Sequence, residues 1–199
     1  MSPDDVNKAR RRFLVASTSV IGAVGVGFAA VPFIKSWQPS ARARAVGAPV
    51  EANIRSIKPG QLVKYQWRGQ TIGILRRTQA MLDKLAELDS RLRDPDSENS
   101  RQQPEYARNG YRSQNPEILV LNMHCTHLGC VPQVLLRPGS YSWEPDWPGG
   151  FYCPCHKSKF DLAGRVFKGV PAPSNLLVPP HSFLLNDTLL IGVDPEGTA

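Results

Sequence analysis

The chain has 199 residues, a length that allows one ordinary domain with appendages or two very small domains, and its 41% hydrophobic and 21% charged residues are typical of a folded protein. Its net charge of +7 lies mostly at the N-terminus, because residues 1–50 carry +5 and residues 51–199 carry only +2. No basic patch on the main domain is visible in the sequence, so nucleic acid is excluded as the expected partner. A basic N-terminus is instead typical of membrane targeting.

The first predicted element in chain order is a membrane anchor. Residues 13–34 form an uncharged run of 22 residues. As an α-helix this run is about 33 Å long, enough to cross a hydrocarbon core of about 30 Å. The alternative is a buried core helix, for which 22 residues is long. We therefore predict a transmembrane helix at 13–34.

A basic N-terminus, residues 1–12, precedes the anchor. The sequence RRRFL at positions 10–14 resembles a twin-arginine export signal, which carries folded proteins across a membrane. The alternative is a basic flank that follows the positive-inside rule, and both place the N-terminus in the cytoplasm. No small-residue cleavage site closes the apolar run, since PFIK follows at 32–35. The anchor is therefore expected to remain uncleaved.

The segment after the anchor, residues 35–50, has no apolar periodicity and is predicted to be a flexible tether. Residues 51–199 are predicted to form the head domain. Apolar residues at helical spacing from Met81 to Leu92 predict one helix, with Thr78 as its cap. Residues 94–115 are polar and interrupted by prolines, which predicts a long surface loop.

The rest of the head is strand-like. The predicted strands are short runs of apolar or alternating residues at 62–67, 71–75, 117–122, 165–168, 183–185 and 188–193. The first two flank a turn at 68–70 and the last two flank Asn186-Asp187, so each pair is predicted to form a hairpin. The fold class is therefore mainly β, an antiparallel domain with one helical insertion.

Two short boxes contain all four cysteines and two of the four histidines. They read CTHLGC at 125–130 and CPCHKS at 153–158. Each box offers a cysteine and a histidine as ligands, together with a second cysteine. Boxes of this kind on Gly- and Pro-rich loops can bring ligands from separate segments to one metal centre.

Three kinds of site are compatible with the boxes. A zinc site of two cysteines and two histidines is chemically reasonable but leaves two cysteines unexplained. Two disulfides suit an exported domain but leave His127 and His156 without a role. A two-iron, two-sulfur cluster with two cysteines on one iron and two histidines on the other uses both residue types.

The boxes resemble the two cluster-binding boxes of the Rieske proteins of quinol–cytochrome c oxidoreductase complexes. The anchor, the Ala/Arg-rich tether, the GVPAP sequence at 169–173 and the C-terminal hairpin are similar to those of the bacterial members. The resemblance implies an antiparallel Rieske-type β-sandwich head, with a small cluster-binding subdomain within residues 123–174. It also implies one [2Fe-2S] cluster per chain.

The resemblance further implies a role for each residue of the site. Cys125 and Cys153 would bind one iron, and His127 and His156 the other. A disulfide between Cys130 and Cys155 would hold the two boxes together.

Four further residues are implied to surround the cluster: Leu128, Gly129, Ser158 and Pro171. Ser158 would donate its hydroxyl to a cluster sulfur, and Pro171 belongs to the loop that covers the cluster. Two positions depart from the family pattern. Lys157 stands where glycine is usual, and a positive φ there would cost about 1–2 kcal/mol. Phe160 stands where many members have a tyrosine that bonds a cysteine ligand's sulfur.

The implied function is electron transfer. The protein would accept one electron, with proton release, from ubiquinol and pass it to a membrane c-type cytochrome of the respiratory chain. It would be a subunit of a quinol–cytochrome c oxidoreductase, a translocase. His156, with His127 as the alternative, would contact the quinol and accept its proton.

The expected partners are the cytochrome b subunit, the c-type cytochrome subunit, ubiquinol and membrane lipid, in a complex that is expected to be dimeric. The expected location is the bacterial inner membrane, with the head in the periplasm.

Rival functions fit less well. A Rieske-type oxygenase needs a second, mononuclear iron site, and only 43 residues with one histidine follow His156. A soluble carrier would not need the anchor. A Rieske subunit of another exported oxidase, such as an arsenite oxidase, is disfavoured by the tether, the loop at 169–173 and the insertion after Leu75. His124 is expected to be structural, and Trp143 and Trp147 to serve packing.

Overall fold

The computed structural model describes residues 7–184 and 187–195. The chain divides into two units, the first ending at Ala45 and the second beginning at Val46. The first unit is helical, and the second contains the sheets.

The first unit contains a 29-residue helix, α1, at Lys8–Ser36. The side chain of Asn7 caps it by accepting the backbone N–H groups of Ala9 and Arg10, each at 3.1 Å. Among the described residues, one helical span, Lys8–Gly47, is long and apolar enough to cross a membrane. The predicted helical conformation of 13–34 is confirmed.

The segment expected to be an irregular tether contains a second helix, α2, at Ala41–Gly47. Alanine and arginine have high helix propensities, and the Ser40 hydroxyl accepts the N–H of Ala43 at 3.1 Å. None of its residues is buried, in keeping with the missing apolar face. A lack of apolar periodicity therefore predicted a lack of packing, and it did not exclude a helix.

The second unit is built from antiparallel sheets. Its strands β1 to β11 are, in chain order, Val50–Asn53, Leu62–Trp67, Gln70–Arg76, Ile118–Asn122, Gln133–Leu135, Gly139–Tyr141, Glu144–Trp147, Gly150–Cys153, Ser158–Phe160, His181–Leu184 and Thr188–Ile191. The outer sheet has the order β1-β11-β10, the central sheet β2-β3-β4 and the distal sheet β5-β8-β9, while β6 and β7 form a separate ribbon.

Strand β4 of the central sheet is buried on both faces, and this explains its continuous apolar sequence. Ile118 and Val120 share a core with the outer sheet, whose contribution includes Leu189. Leu119 and Leu121 point into a second core, shared with the distal sheet. Since successive side chains of a strand alternate between faces, β4 must be apolar throughout. The predicted mainly β, antiparallel class is confirmed.

Two of the predicted local elements are confirmed. The helix α3 covers Gln79–Glu87, and the Thr78 hydroxyl accepts the N–H of Met81 at 3.3 Å. In the hairpin of β2 and β3, both Arg68 and Gly69 have positive φ, 51° and 72°, as a two-residue hairpin turn requires. Strands β10 and β11 also pair, but residue 185 of the expected strand and Asn186 of the expected turn lie outside the described residues.

The prediction of a strand at 165–168 is wrong. The structure has two isolated bridges there, from Val166 to Phe160 and from Phe167 to Leu92. Neighbouring residues thus pair with two different partners, and no ladder forms. The buried Arg165 begins this stretch, and its guanidinium binds Asp161 at 2.7 Å instead of lying on a strand face.

The prediction that residues 94–115 form a surface loop is also wrong, because five of these residues are buried. They are Ser97, Gln103, Ala107, Arg112 and Ser113. The guanidinium of Arg112 donates to the carbonyls of Gln102 at 2.9 Å, Ala163 at 3.3 Å and Gly164 at 3.4 Å. Burial lowers the pKa of Arg112 to about 10, so the group stays charged at neutral pH. A polar sequence can therefore be internal when a buried guanidinium binds carbonyls around it.

Candidate metal centre

The second box forms the turn between β8 and β9. Cys153 ends β8, Ser158 begins β9, and the two residues are paired in register. The four residues between them form the tip of a hairpin, where Pro154, Cys155, His156 and Lys157 are all exposed. Burial therefore changes abruptly from Cys153 to the rest of the box.

The first box follows β4 and is a compact loop. The N–H of Cys125 donates to the Cys130 carbonyl, and the N–H of Gly129 donates to the Cys125 carbonyl, each at 2.8 Å. Gly129 has a φ of 81°, a conformation that glycine adopts without strain. The Thr126 hydroxyl donates to the Ser174 carbonyl at 2.7 Å, which connects this box to the loop at 169–173. No spacing pattern in the sequence indicated this role of Thr126.

The structure joins the two boxes with a disulfide between Cys130 and Cys155, at an S–S distance of 2.11 Å. Cys125 and Cys153 are free and buried. The sulfurs of Cys130, Cys153 and Cys155 lie within 4.8 Å of one another. Because two of these three are bonded to each other, the triplet does not provide three thiolate ligands. The thiols available for a metal are those of Cys125 and Cys153.

The two histidines of the boxes meet at the other end of the site. The ring centroids of His127 and His156 are 4.6 Å apart, with the ring planes at 89°. His127 is half-buried and His156 is exposed. The Nδ1 atom of His127 is buried and has no hydrogen-bond partner within the described residues. A buried polar atom without a partner is costly and is typical of a position that a ligand completes.

These residues fit a bound metal group. Burial raises the pKa of the Cys125 thiol, while hydrogen bonds from the His127 N–H and from the Ser158 hydroxyl act in the opposite direction. A cation next to the sulfur stabilises the thiolate and removes the penalty of burial. Two sulfur and two imidazole donors suit a [2Fe-2S] cluster with mixed ligands, and they also suit Zn²⁺.

Ser158 is fully buried beside this donor set. Its oxygen accepts the N–H of Ala172 at 3.0 Å, so its hydroxyl proton is free to donate elsewhere. The acceptor is the sulfur of Cys125, whose pKa this bond lowers. The expected donation of this hydroxyl to a cluster sulfur stays a prediction.

The remaining predicted positions differ in exposure. Leu128 is 71% exposed, and Gly129 and Pro171 are exposed as well. Lys157 has a φ of 61°, the positive value that is strained for lysine and that glycine adopts more easily. Phe160 is fully buried and brings no hydroxyl to the site.

The other residues named from the sequence have structural contacts. His124 Nδ1 lies 2.7 Å from the Asn122 side-chain oxygen. Trp143 stacks on Tyr152 at a centroid distance of 3.8 Å, and Trp147 is buried. The expected packing role of both tryptophans is confirmed.

Comparisons with known families separate the iron cluster from zinc. Residues 100–181 match the family described as "Rieske [2Fe-2S] domain". Residues 1–40 match the family described as "Ubiquitinol-cytochrome C reductase Fe-S subunit TAT signal". The twin-arginine-like sequence at 10–14 lies within the second match.

Curated relatives match along almost the whole chain, and those compared bear the description "Ubiquinol-cytochrome c reductase iron-sulfur subunit". The protein of Allochromatium vinosum is 54% identical over 98% of this chain and 93% of its own length. That of Blastochloris viridis is 40% identical over 96% of this chain and 97% of its own length. The chain belongs to this family. It is the Rieske iron-sulfur subunit of a quinol-oxidising complex, an electron-transfer component with a [2Fe-2S] cluster.

Membership of the family also gives the location of the Rieske subunit in outline. Its apolar helix α1 is suited to be a single membrane anchor, and the matched export signal places the head outside the cytoplasm. The relatives are named as subunits of ubiquinol-cytochrome c reductase, an oxidoreductase complex, so the Rieske subunit works within an assembly and not alone.

Proposed function

We propose that this Rieske subunit accepts one electron from ubiquinol and passes it to the c-type cytochrome subunit of its complex. The observation that carries the proposal is the polarity of the site. Its free cysteines are buried, whereas His156 is exposed at the tip of a hairpin and its ring lies 4.6 Å from that of His127. Such a site excludes water from its sulfur end and presents imidazoles to a partner.

Four side chains would hold the cluster: Cys125 and Cys153 on one iron, and His127 and His156 on the other. When bound, the [2Fe-2S] cluster supplies reversible one-electron oxidation and reduction. The unpartnered Nδ1 of His127 supports its assignment as a ligand. The disulfide between Cys130 and Cys155 connects the two loops, so it limits their separation in both the oxidised and the reduced state of the cluster.

His156 is the proposed contact for the quinol. An imidazole nitrogen that faces solvent can accept the hydroxyl proton of a quinol while the electron leaves by the same path. His127 is the alternative contact, and it is less exposed. Leu128, at 71% exposure, adds an apolar surface next to the imidazoles that suits the uncharged quinol ring. Gly129 and Pro171 complete the surroundings of the histidines.

The finer location and partners belong to the same proposal. Residues 1–12 would lie in the cytoplasm, 13–34 in the lipid of the bacterial inner membrane, and 35–50 would connect the anchor to the periplasmic head at 51–199. The cytochrome b subunit would take the second electron of the quinol. The complex would be dimeric.

The test is purification of the full chain from membranes under mild conditions. We expect b- and c-type haem to co-purify, two irons and two acid-labile sulfides per chain, and the low-average-g electron paramagnetic signal of mixed ligation. Addition of ubiquinol should produce that signal. One zinc per chain without iron, or a cluster that ubiquinol does not reduce, would overturn the proposal.

A further inference from the structure

Five cationic side chains lie around the loop at 169–173, close to the histidine end of the site. We call this group the basic face, and it consists of Arg91, Arg93, Lys157, Lys159 and Lys168. They come from three separate segments of the chain, so only the fold brings them together.

Lysines from two of these segments line one cavity. Lys157, Lys159 and Lys168 surround a space of about 220 Å³ together with Gly169 and Val170. The stacked rings of Trp143 and Tyr152 form part of its wall. The cavity thus joins the turn of the second box to the loop at 169–173.

The two arginines adjoin the same loop. The guanidinium of Arg93 donates to the carbonyls of Val170 at 3.2 Å and Pro173 at 3.4 Å. Arg91 lies over the ring of Phe167 at 5.2 Å, and Lys159 lies over that ring at 5.9 Å. These contacts place all five cations on one side of the head.

The basic face is poorly neutralised. Glu144 pairs with Arg91 at 3.5 Å and with Lys159 at 2.5 Å, and it is the one carboxylate within the described residues that forms an ion pair with any of the five. Arg93, Lys157 and Lys168 form no ion pair within the described residues, so three of the five cations are not neutralised by direct contact with a carboxylate.

Lys157 is the strongest indication that the charge has a use. It has a φ of 61° and follows His156 directly in the chain. Glycine adopts this conformation without the cost that lysine incurs. The lysine ammonium is exposed, with no hydrogen-bond or ion-pair partner in the part of the chain that the structure describes. A strained residue that keeps an outward charge beside a functional group points to a role outside the chain.

We propose that the basic face docks an acidic surface on the c-type cytochrome that accepts the electron. The inference rests on the proposed function and names the surface by which its second step takes place. The electron donor, ubiquinol, is uncharged and offers lysine no charge to attract. The electron acceptor is a protein that contains a haem, and the two propionate groups of a haem are negatively charged carboxylates. Opposite charges orient two redox proteins and favour a small, transient contact.

The test uses the purified complex with the full chain. A Lys157→Gln/Lys168→Gln variant is mixed rapidly with ubiquinol, with cluster reduction followed by freeze-quench paramagnetic resonance and c-type haem reduction by absorbance. The matched control is Lys58→Gln/Lys64→Gln, since both are exposed lysines outside the basic face. We expect haem reduction to slow about two- to fivefold per lysine in the first variant. Cluster reduction, iron content and the control should be unchanged.

Two further variants separate charge from backbone strain. Lys157→Gly removes the charge and relieves the positive φ, so it should slow haem reduction while it raises the melting temperature. Lys157→Arg keeps the charge and should restore the rate. Added salt should slow the parent more than the glutamine variant, because salt screens exposed charges.

The proposal is overturned if haem reduction keeps the parent rate in the double variant, or if the control slows equally. Slower reduction of the cluster itself would assign the basic face to the quinol-oxidising partner and would also overturn it. Failure of the proposed function looks different, because ubiquinol would then leave the cluster of the parent protein oxidised.

Discussion

Ser158 shows how one hydroxyl can tune the site. It accepts an N–H from Ala172 at 3.0 Å and directs its proton at Cys125. A hydrogen bond to an anionic sulfur stabilises the site more when reduction has added negative charge. Its removal should therefore favour the oxidised form.

The first prediction concerns this bond. Ser158→Ala should lower the midpoint potential by tens of millivolts, on the order of 1 kcal/mol for a one-electron couple. The measurement is a redox titration with iron content matched to the parent. Thr126→Val is the control, because that hydroxyl bonds a carbonyl and not a sulfur. A variant with the parent potential would show that the bond does not distinguish the redox states.

His181 is a buried histidine outside the two boxes. It is fully buried, and its Nδ1 lies 2.8 Å from the Pro179 carbonyl, while its Nε2 has no partner within the described residues. Burial lowers the pKa of His181 below its ordinary value. The imidazole is therefore neutral in the folded protein.

The second prediction follows from the sign of this shift. Below about pH 6.5 the unfolded chain binds a proton at His181 that the folded protein does not. Above about pH 6.5 His181 is neutral in both states, and its burial costs no proton. As the pH falls from 6.5 toward the lower pKa of His181 in the folded protein, the free energy of unfolding should decrease. Urea denaturation at pH 7.5 and 5.5 measures this, and His181→Asn should reduce the difference. Equal pH differences in the two proteins would contradict the prediction.

Among the elements, the segment 94–115 depends on one side chain for its place in the core. Arg112 makes its hydrogen bonds through a planar fork with five N–H donors. Lysine has the same charge but a single nitrogen, so it cannot reach the same set of carbonyls.

The third prediction is that Arg112→Lys lowers the free energy of unfolding by about 2–3 kcal/mol. Arg108→Lys is the matched control on the same segment, since Arg108 is exposed and pairs with Glu105 at 3.7 Å. Urea titration compares the two. Similar losses in both variants would mean that the buried fork is not what stabilises the segment.

Elements with local causes could be predicted from the sequence, and those with tertiary causes could not. The cap at Thr78 and the turn at 68–69 are encoded in neighbouring residues, so α3 and the first hairpin were found. The burial of Arg112 depends on carbonyls some 50 positions away, which no periodicity reveals. The interrupted pairing at 166–167 likewise depends on two partners distant from each other in the chain.

At the scale of the whole molecule, the disulfide joins two loops that are 25 residues apart in sequence. The fourth prediction is that Cys130→Ser/Cys155→Ser lowers the stability of the head by roughly 3 kcal/mol, because the unfolded chain gains freedom. Thermal unfolding and iron content are the measurements. We expect the melting temperature to fall and iron to be lost more readily. A variant that unfolds at the parent temperature would contradict this.

The site was predictable to a similar degree as the fold. Its two boxes are short and local, so the cysteines and histidines could be named from spacing and resemblance. The basic face could not, because residues 91–93, 157–159 and 168 converge only in the folded head. A net charge of +2 over residues 51–199 gives no indication that five cations lie together on one side of the head.

The closeness of three sulfurs has a consequence for the order in which the protein matures. With Cys130, Cys153 and Cys155 within 4.8 Å of one another, an empty site under oxidising conditions could form wrong pairs as well as the native one. Iron bound to Cys153 before export would remove that thiol from competition. A twin-arginine route, which moves folded proteins, permits this sequence of events. We expect the disulfide between Cys130 and Cys155 to form only after the head has left the reducing cytoplasm, and therefore after iron has bound.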